Sequence, residues 1–255
     1  MSALQLFNGF LIGMVLLAIA VVFALRVRPA GYGQYVGKRW GRTINNRAGW
    51  VIMEVPVVIV FMIYWLASDR TFATTPLAFF LVFNLHYLQR TFVFPLLIRG
   101  EDQMPWSIII FGMLFNTANA VMQGTWIFFL SPPDQYVAAW LATPQFIIGL
   151  AIFLTGFVIN LHSDHIVRNL RKPGDTSFHI PRGGMFKYVT SANYLGELTE
   201  WVGWAIMTWS WAGVVFAIWT FANLGPRANT HHSWYIQKFG DEYPKDRKRM
   251  IPFVY

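Results

Sequence analysis

A chain of 255 residues that is 55% hydrophobic and 13% charged carries about half the charge of a soluble domain, which excludes the soluble globular class. Its 20 Lys and Arg against 12 Asp and Glu leave a net charge of +8, but the excess lies in short segments between apolar runs. That pattern argues for topology and anionic lipid rather than nucleic acid. With no cysteine, disulfides and thiolate metal sites are excluded.

The first apolar run, Leu4 to Leu25, is long enough to span a bilayer and has no basic residue before it, so it reads as a span rather than a cleavable signal. Residues 26–49 are rich in Gly and Arg, and either connect two helices or fold over a ligand. Gly31-x-Gly33 lacks a strand–helix setting, so a dinucleotide fingerprint is not supported. Further spans are expected near 50–67, 73–97, 106–130 and 142–161. Segment 162–193 is the longest polar stretch, with a turn signal at Pro173-Gly174-Asp175. The run 194–226 is too long for one span of about 20 residues. A weak break at Ser210-Trp211-Ala212-Gly213 divides it into two short helices. The tail from Asn229 is polar and aromatic.

These runs make an all-α polytopic membrane protein, a single domain over 1–255 with seven spans. Seven spans put all but Arg70 of the 20 Lys and Arg on one face, whereas six would divide the basic segments. By the positive-inside rule the N-terminus is then outside and the C-terminus cytosolic. The expected setting is a multi-pass protein of a bacterial inner membrane, or of the endoplasmic reticulum if eukaryotic, acting as a monomer.

Glu54, Glu197 and Glu200 lie in stretches that belong in lipid, where a carboxylate costs on the order of 3 kcal/mol. Glu54 sits one turn into the second span; a neutral acid there can donate a hydrogen bond. In the third span Tyr87 follows His86 and precedes Arg90. A lone buried Tyr is usually a core or interfacial residue, but beside a buried acid it becomes a candidate electrophile for a carbonyl. Asn160, Asp164, Arg168 and Arg171 share one helix face. Their two guanidinium groups suit a phosphate, and the same spacing also suits a solvated juxtamembrane face with an Asp164–Arg168 pair. Asn193, Glu197 and Glu200 share another face, which serves a ligand or a structural hydrogen-bond network. His162 and His165 lack a third ligand at suitable spacing, so no metal is expected.

Several longer motifs then fall into register. The C-terminal half carries Pro181-Arg182-Gly183-Gly184-Met185-Phe186-Lys187-Tyr188-Val189, Ser191-Ala192-Asn193-Tyr194-Leu195-Gly196-Glu197, His231-His232-Ser233-Trp234-Tyr235, Asp241-Glu242-Tyr243-Pro244-Lys245 and Ile251-Pro252-Phe253. The N-terminal half adds Arg47-Ala48-Gly49-Trp50, Glu54-Val55-Pro56 and His86-Tyr87-Leu88-Gln89-Arg90-Thr91-Phe92-Val93. Together these resemble the steroid 5α-reductase family, and a bacterial homologue is expected. The resemblance implies a seven-helix membrane enzyme that reduces the C4–C5 double bond of 3-oxo-Δ4-steroids with NADPH. It implies Glu54 and Tyr87 as the pair contacting the 3-ketone, and Asn160, Asp164, Arg171, Asn193, Glu197 and Tyr235 as cofactor residues. Arg90 and Arg99 match basic positions on the cofactor side, and Trp50 matches a wall of the steroid pocket. The chain departs from the animal pattern at Met53, a substrate-contact position where that pattern has glutamine, and at Glu101 and Phe178-His179 on the phosphate side.

Other readings compete. A reductase of another unsaturated lipid, an enoyl thioester or a polyprenol, keeps the architecture. A membrane methyltransferase needs no buried acid on the second span. A transporter would gather its polar groups at the midplane of inverted repeats, and none is evident.

Overall fold

The computed structural model describes residues 1–28, 40–100, 102–171, 175 and 177–255. Seven long helices appear among the described residues: α1 (Ala3–Val27), α2 (Asn46–Leu66), α3 (Thr74–Leu97), α4 (Trp106–Leu130), α5 (Pro144–Arg168), α6 (Ala192–Thr208) and α7 (Trp211–Phe239). The first five are long and apolar enough to cross a membrane. The expected spans begin and end within a few residues of these helices, except that α5 continues beyond 161 to Arg168 and α7 beyond 226 to Phe239. Most of the first connection (29–39), where Gly31, Gly33 and Gly37 lie, is outside the described residues.

Two compact units divide the chain: one holds the start of α1 with α2, α3, α4 and Ser210–Ala212 at the start of α7, and the other holds the rest of α1, most of α5, α6, α7 from Gly213 and the C-terminal segment.

In the first unit, a two-stranded ladder sets the level of α2 and α4. β1 (Thr43–Asn45) pairs antiparallel with β2 (Gln103–Pro105), Ile44 opposite Met104, and each strand runs directly into its helix. Asn45 caps α2, its side-chain oxygen accepting from the backbone N–H of Arg47 and Ala48, which satisfies donors that a helix start leaves open. α2 and α4 then run parallel and close. A Cβ on Gly112 would collide with the Met53 side chain, and one on Gly124 would stand 2.8 Å from Tyr64 Cβ. Aromatic rings join α2 to α3, with Phe61 against Phe83 at 4.2 Å and Trp65 stacked on Phe80 at 4.1 Å. Arg70 donates to the hydroxyl and carbonyl oxygens of Ser131 at 2.6 and 3.0 Å. It therefore serves the last turn of α4, a structural use of positive charge at a helix C-terminus. Both α3 and α4 contain π-helical turns, at Gln89–Val93 and Thr125–Leu130.

In the second unit, α5 and α6 pack antiparallel on facing glycines. A Cβ on Gly203 would stand 2.7 Å from the Gly149 carbonyl oxygen, and one on Gly196 would stand 2.8 Å from that of Gly156. Small residues at these positions let two backbones touch, as in helix pairs within lipid. The expected break in 194–226 falls at Trp209, which takes left-handed dihedrals (φ 46°) and ends α6. Trp209 and Trp211 beside it are exposed, as tryptophans are at a membrane–water boundary.

The helix after the break is not short. It runs through Pro226 to Phe239, so part of the tail expected from Asn229 is helical. Packing overrides the proline: Leu224 and Ala228, on either side of it, are buried in one cluster with Tyr194 and Met250. The C-terminal segment is laced onto residues 188–191, with Thr190 and Ser191 N–H donating to the carbonyls of Lys248 and Arg249 at 2.8 and 3.0 Å.

Candidate active site

Each unit carries a polar cluster that includes candidate site residues. In the first, Glu54 on α2 and Tyr87 on α3 are both buried, and both are held from α4. Asn116 Nδ2 donates to Glu54 Oε2 at 3.0 Å and to the Met53 carbonyl at 2.9 Å. Asn119 Nδ2 lies 3.0 Å from the Tyr87 hydroxyl. Gln123 Nε2 continues the line, 3.3 Å from Asn119 Oδ1 and 2.9 Å from the Ala212 carbonyl. All three amides are buried, and each is hydrogen-bonded, as buried polar groups must be. Tyr87 leans on Phe83, ring centres 4.7 Å apart, which fixes the phenol while leaving its oxygen at the amide line.

Trp50, one turn before Glu54, is partly buried. The Arg90 guanidinium lies 4.6 Å over its ring and 4.4 Å over that of Phe94, a cation held by two aromatic faces. Met53 is buried with Met104, Ile108 and Ile109, and Trp50 packs on that cluster. Arg99 is exposed beyond the end of α3, and Glu101 lies outside the described residues.

In the second unit, Asn160, Asp164 and Asn193 form a chain across the α5–α6 crossing. Asn160 Nδ2 donates to the Asn193 carbonyl at 3.0 Å, and Asn193 Nδ2 donates to Asp164 Oδ1 at 3.3 Å. Glu197 lies one turn along α6 and is partly buried, while Glu200 is fully buried. Arg171 falls just past the end of α5. Its Nε donates to the Ser177 carbonyl at 2.8 Å and its guanidinium covers the Phe178 ring at 4.7 Å. Next to it, Asp175 is held well below the usual carboxylate range by hydrogen bonds from the Ser177 hydroxyl and from His179. Arg168 lies 3.2 Å from His165 Nδ1.

Tyr235 stacks between Phe239 and Tyr243, at 5.8 and 5.5 Å. Nearby, Thr190 Oγ1 is within 2.6 Å of both His232 Nδ1 and the Tyr243 hydroxyl. His231 stacks on Tyr194 at 5.6 Å; burial, then the charge of Arg227, pushes it down to about 4.

The amides of α4 were missed by sequence reasoning. Asn116, Asn119 and Gln123 stand at offsets 0, 3 and 7, one helix face inside an apolar span. The same rule that singled out Asn193, Glu197 and Glu200 would have found them.

A family model described as 3-oxo-5-alpha-steroid 4-dehydrogenase matches residues 102–255. The chain is 42% identical to 3-oxo-5-alpha-steroid 4-dehydrogenase 1 of Mus musculus, over 100% of this chain and 96% of that protein. This chain belongs to the steroid 5-alpha-reductase family. Identity to the Homo sapiens 3-oxo-5-alpha-steroid 4-dehydrogenase 1 is 43%, over 88% of the chain and 86% of that protein. A steroid 5-alpha-reductase of Solanum lycopersicum is 38% identical over 98% of both chains. This family member is thus an oxidoreductase, and its apolar helices make it a multi-pass membrane protein.

Proposed function

We propose that the chain reduces the C4–C5 double bond of 3-oxo-Δ4-steroids, with NADPH as the reductant and the 3-ketone held by Glu54 and Tyr87. The observation that carries this reading is the buried acid and phenol of the first unit, each fixed by an amide from α4. Reduction of an enone at its β carbon builds negative charge on the carbonyl oxygen. Donors preorganised at that oxygen in a dry site stabilise the charge by several kcal/mol. Tyr87 donates its O–H, and Glu54, in its neutral form, donates a second. Trp50 and Met53 supply apolar wall for a steroid entering from the bilayer.

The second unit suits a dinucleotide. Arg168 and Arg171 offer guanidinium donors for phosphate, Asp164 and Glu197 offer acceptors for ribose hydroxyls, Asn193, itself held by Asn160, fixes Asp164, and Tyr235 offers its phenol hydroxyl. Arg90 and Arg99 are assigned to the cofactor by the family resemblance alone. When bound, NADPH supplies the hydride. The α carbon takes its proton from solvent. Seven spans with a cytosolic C-terminus support cofactor access from the cytosol, because all but one of the 20 Lys and Arg then face that side.

The test is nicotinamide absorbance with detergent-purified protein, NADPH and a 3-oxo-Δ4-steroid, the product weighed by mass spectrometry. A gain of two hydrogens, lost in Glu54→Gln, is the expected result. NADPH binding without turnover of any such steroid would move the substrate to another unsaturated lipid. Absence of NADPH binding would overturn the reading.

A further inference from the structure

We infer that Gln123, Asn119 and Asn116 set the direction of the protons at Glu54 and Tyr87, so that both groups present an O–H to a substrate carbonyl. The inference rests on the reading of Glu54 and Tyr87 given above.

An amide side chain donates at one end and accepts at the other, and which end faces where is fixed by its neighbours. Two backbone carbonyls, which can only accept, supply the fixed points. Gln123 turns its NH2 to the Ala212 carbonyl at 2.9 Å. The same nitrogen faces Asn119 at 3.3 Å, so the facing atom of Asn119 must be its oxygen. The NH2 of Asn119 is thereby turned to Tyr87, and the phenol oxygen accepts from it at 3.0 Å. An oxygen that accepts there must send its own proton elsewhere. Asn116 works the same way: the Met53 carbonyl fixes its NH2 at 2.9 Å, so Glu54 Oε2 is an acceptor at 3.0 Å. The proton of a neutral Glu54 is then directed to Oε1. The residue preceding Glu54 is a methionine and brings no amide of its own, so the amide on the Glu54 carboxyl comes from α4.

Each link also strengthens the next, since donors in a chain polarise one another. The three amides are positioning residues. They act through the acid and the phenol, and their effect belongs to kcat rather than to cofactor binding.

The experiment is a double-mutant cycle at Gln123 and Asn119, in full-length protein checked for monodispersity in detergent. Gln123→Leu frees Asn119 to turn its oxygen to Tyr87 and capture the phenol proton. Turnover of a 3-oxo-Δ4-steroid should fall about tenfold to a hundredfold at unchanged NADPH affinity. Asn119→Leu removes the donor and also the competitor for that proton. The double variant should therefore be no slower than Gln123→Leu alone. Losses that multiply would assign the amides to folding and overturn the inference.

A second readout needs no turnover. The C=O stretch of a bound, saturated 3-keto steroid should rise in Gln123→Leu and in Asn116→Leu, as the carbonyl loses a donor. An unmoved band with normal turnover in those variants, while Tyr87→Phe is impaired, would overturn the proton-directing role alone. Tyr87→Phe with full turnover and an unmoved band would instead remove the catalytic reading on which it rests.

Discussion

Gly196→Ala tests whether the α5–α6 crossing holds in place the residues proposed to bind the dinucleotide. The added methyl carbon would stand 2.8 Å from the Gly156 carbonyl oxygen and closer still to the backbone nitrogen of Asn160. Ordinary contact begins near 3.4 Å and the Asn160 nitrogen would stand at 2.4 Å, so the helices must part by about 1.0 Å at this point. The Asn160–Asn193 hydrogen bond, 3.0 Å long, then stretches to about 4.0 Å and is lost. Overpacking of this kind costs about 1–3 kcal/mol and the lost bond about 1 kcal/mol more. If the hydrogen-bond part is felt by the ligand, NADPH affinity drops about fivefold to tenfold. NADPH titration followed by nicotinamide fluorescence measures it, with thermal unfolding of the same sample as the stability readout. Gly225→Ala is the control, since its methyl would meet the Phe221 ring at an ordinary 3.4 Å. Unchanged NADPH affinity and an unchanged Tm in Gly196→Ala would refute the close approach of the two helices.

Three further outcomes are expected. Tyr87→Phe should lose most turnover while NADPH binding survives, checked by single-turnover kinetics beside a binding titration. Arg171→Ala should raise the NADPH KM with steroid affinity unchanged; an unaltered KM would remove Arg171 from the phosphate. His231, lowered from 6.5 to about 4 in the folded chain, is neutral when folded and takes up a proton more readily when unfolded. Its contribution is complete above pH 6.5 and is lost as pH falls toward 4, up to about 3 kcal/mol. The Tm should fall across that window, and His231→Phe should flatten the fall; an identical slope in the variant would assign the acid sensitivity to other groups.

The helices were legible because lipid demands long apolar runs, and most of their ends fall within a few residues of where those runs stop. The end of α7 does not: the apolar run stops at 226, yet Leu224 and Ala228 are buried on either side of Pro226 and the helix continues. Glu54 and Tyr87 stood out as ionisable groups in apolar sequence, but nothing local said which helix would meet them. That depends on the β1–β2 ladder, which brings residues about 60 positions apart to one level. Neutral amides carry no charge to draw the eye, so Asn116, Asn119 and Gln123 passed as span. The polar face of Asn160 and Asp164 was legible to the end of α5. The place of Arg171 beyond it, set by Ser177 and Phe178, was not.

The π-helical turn at Gln89–Val93 follows Tyr87 within two residues. Such a turn holds one residue more than an α-helical turn does. Its five residues turn through about the same arc as four α-helical residues do. Deleting one of them would therefore leave α3 continuous as an ordinary helix, with Tyr87 before it and Phe94 beyond it facing much as they do now. Only the side chains inside the turn, Arg90 among them, would be re-aimed. A sequence drifting by insertion and deletion at this point can therefore move one cation on or off the Trp50 ring without disturbing the acid–phenol neighbourhood or the end of the helix, a freedom that substitution alone does not offer.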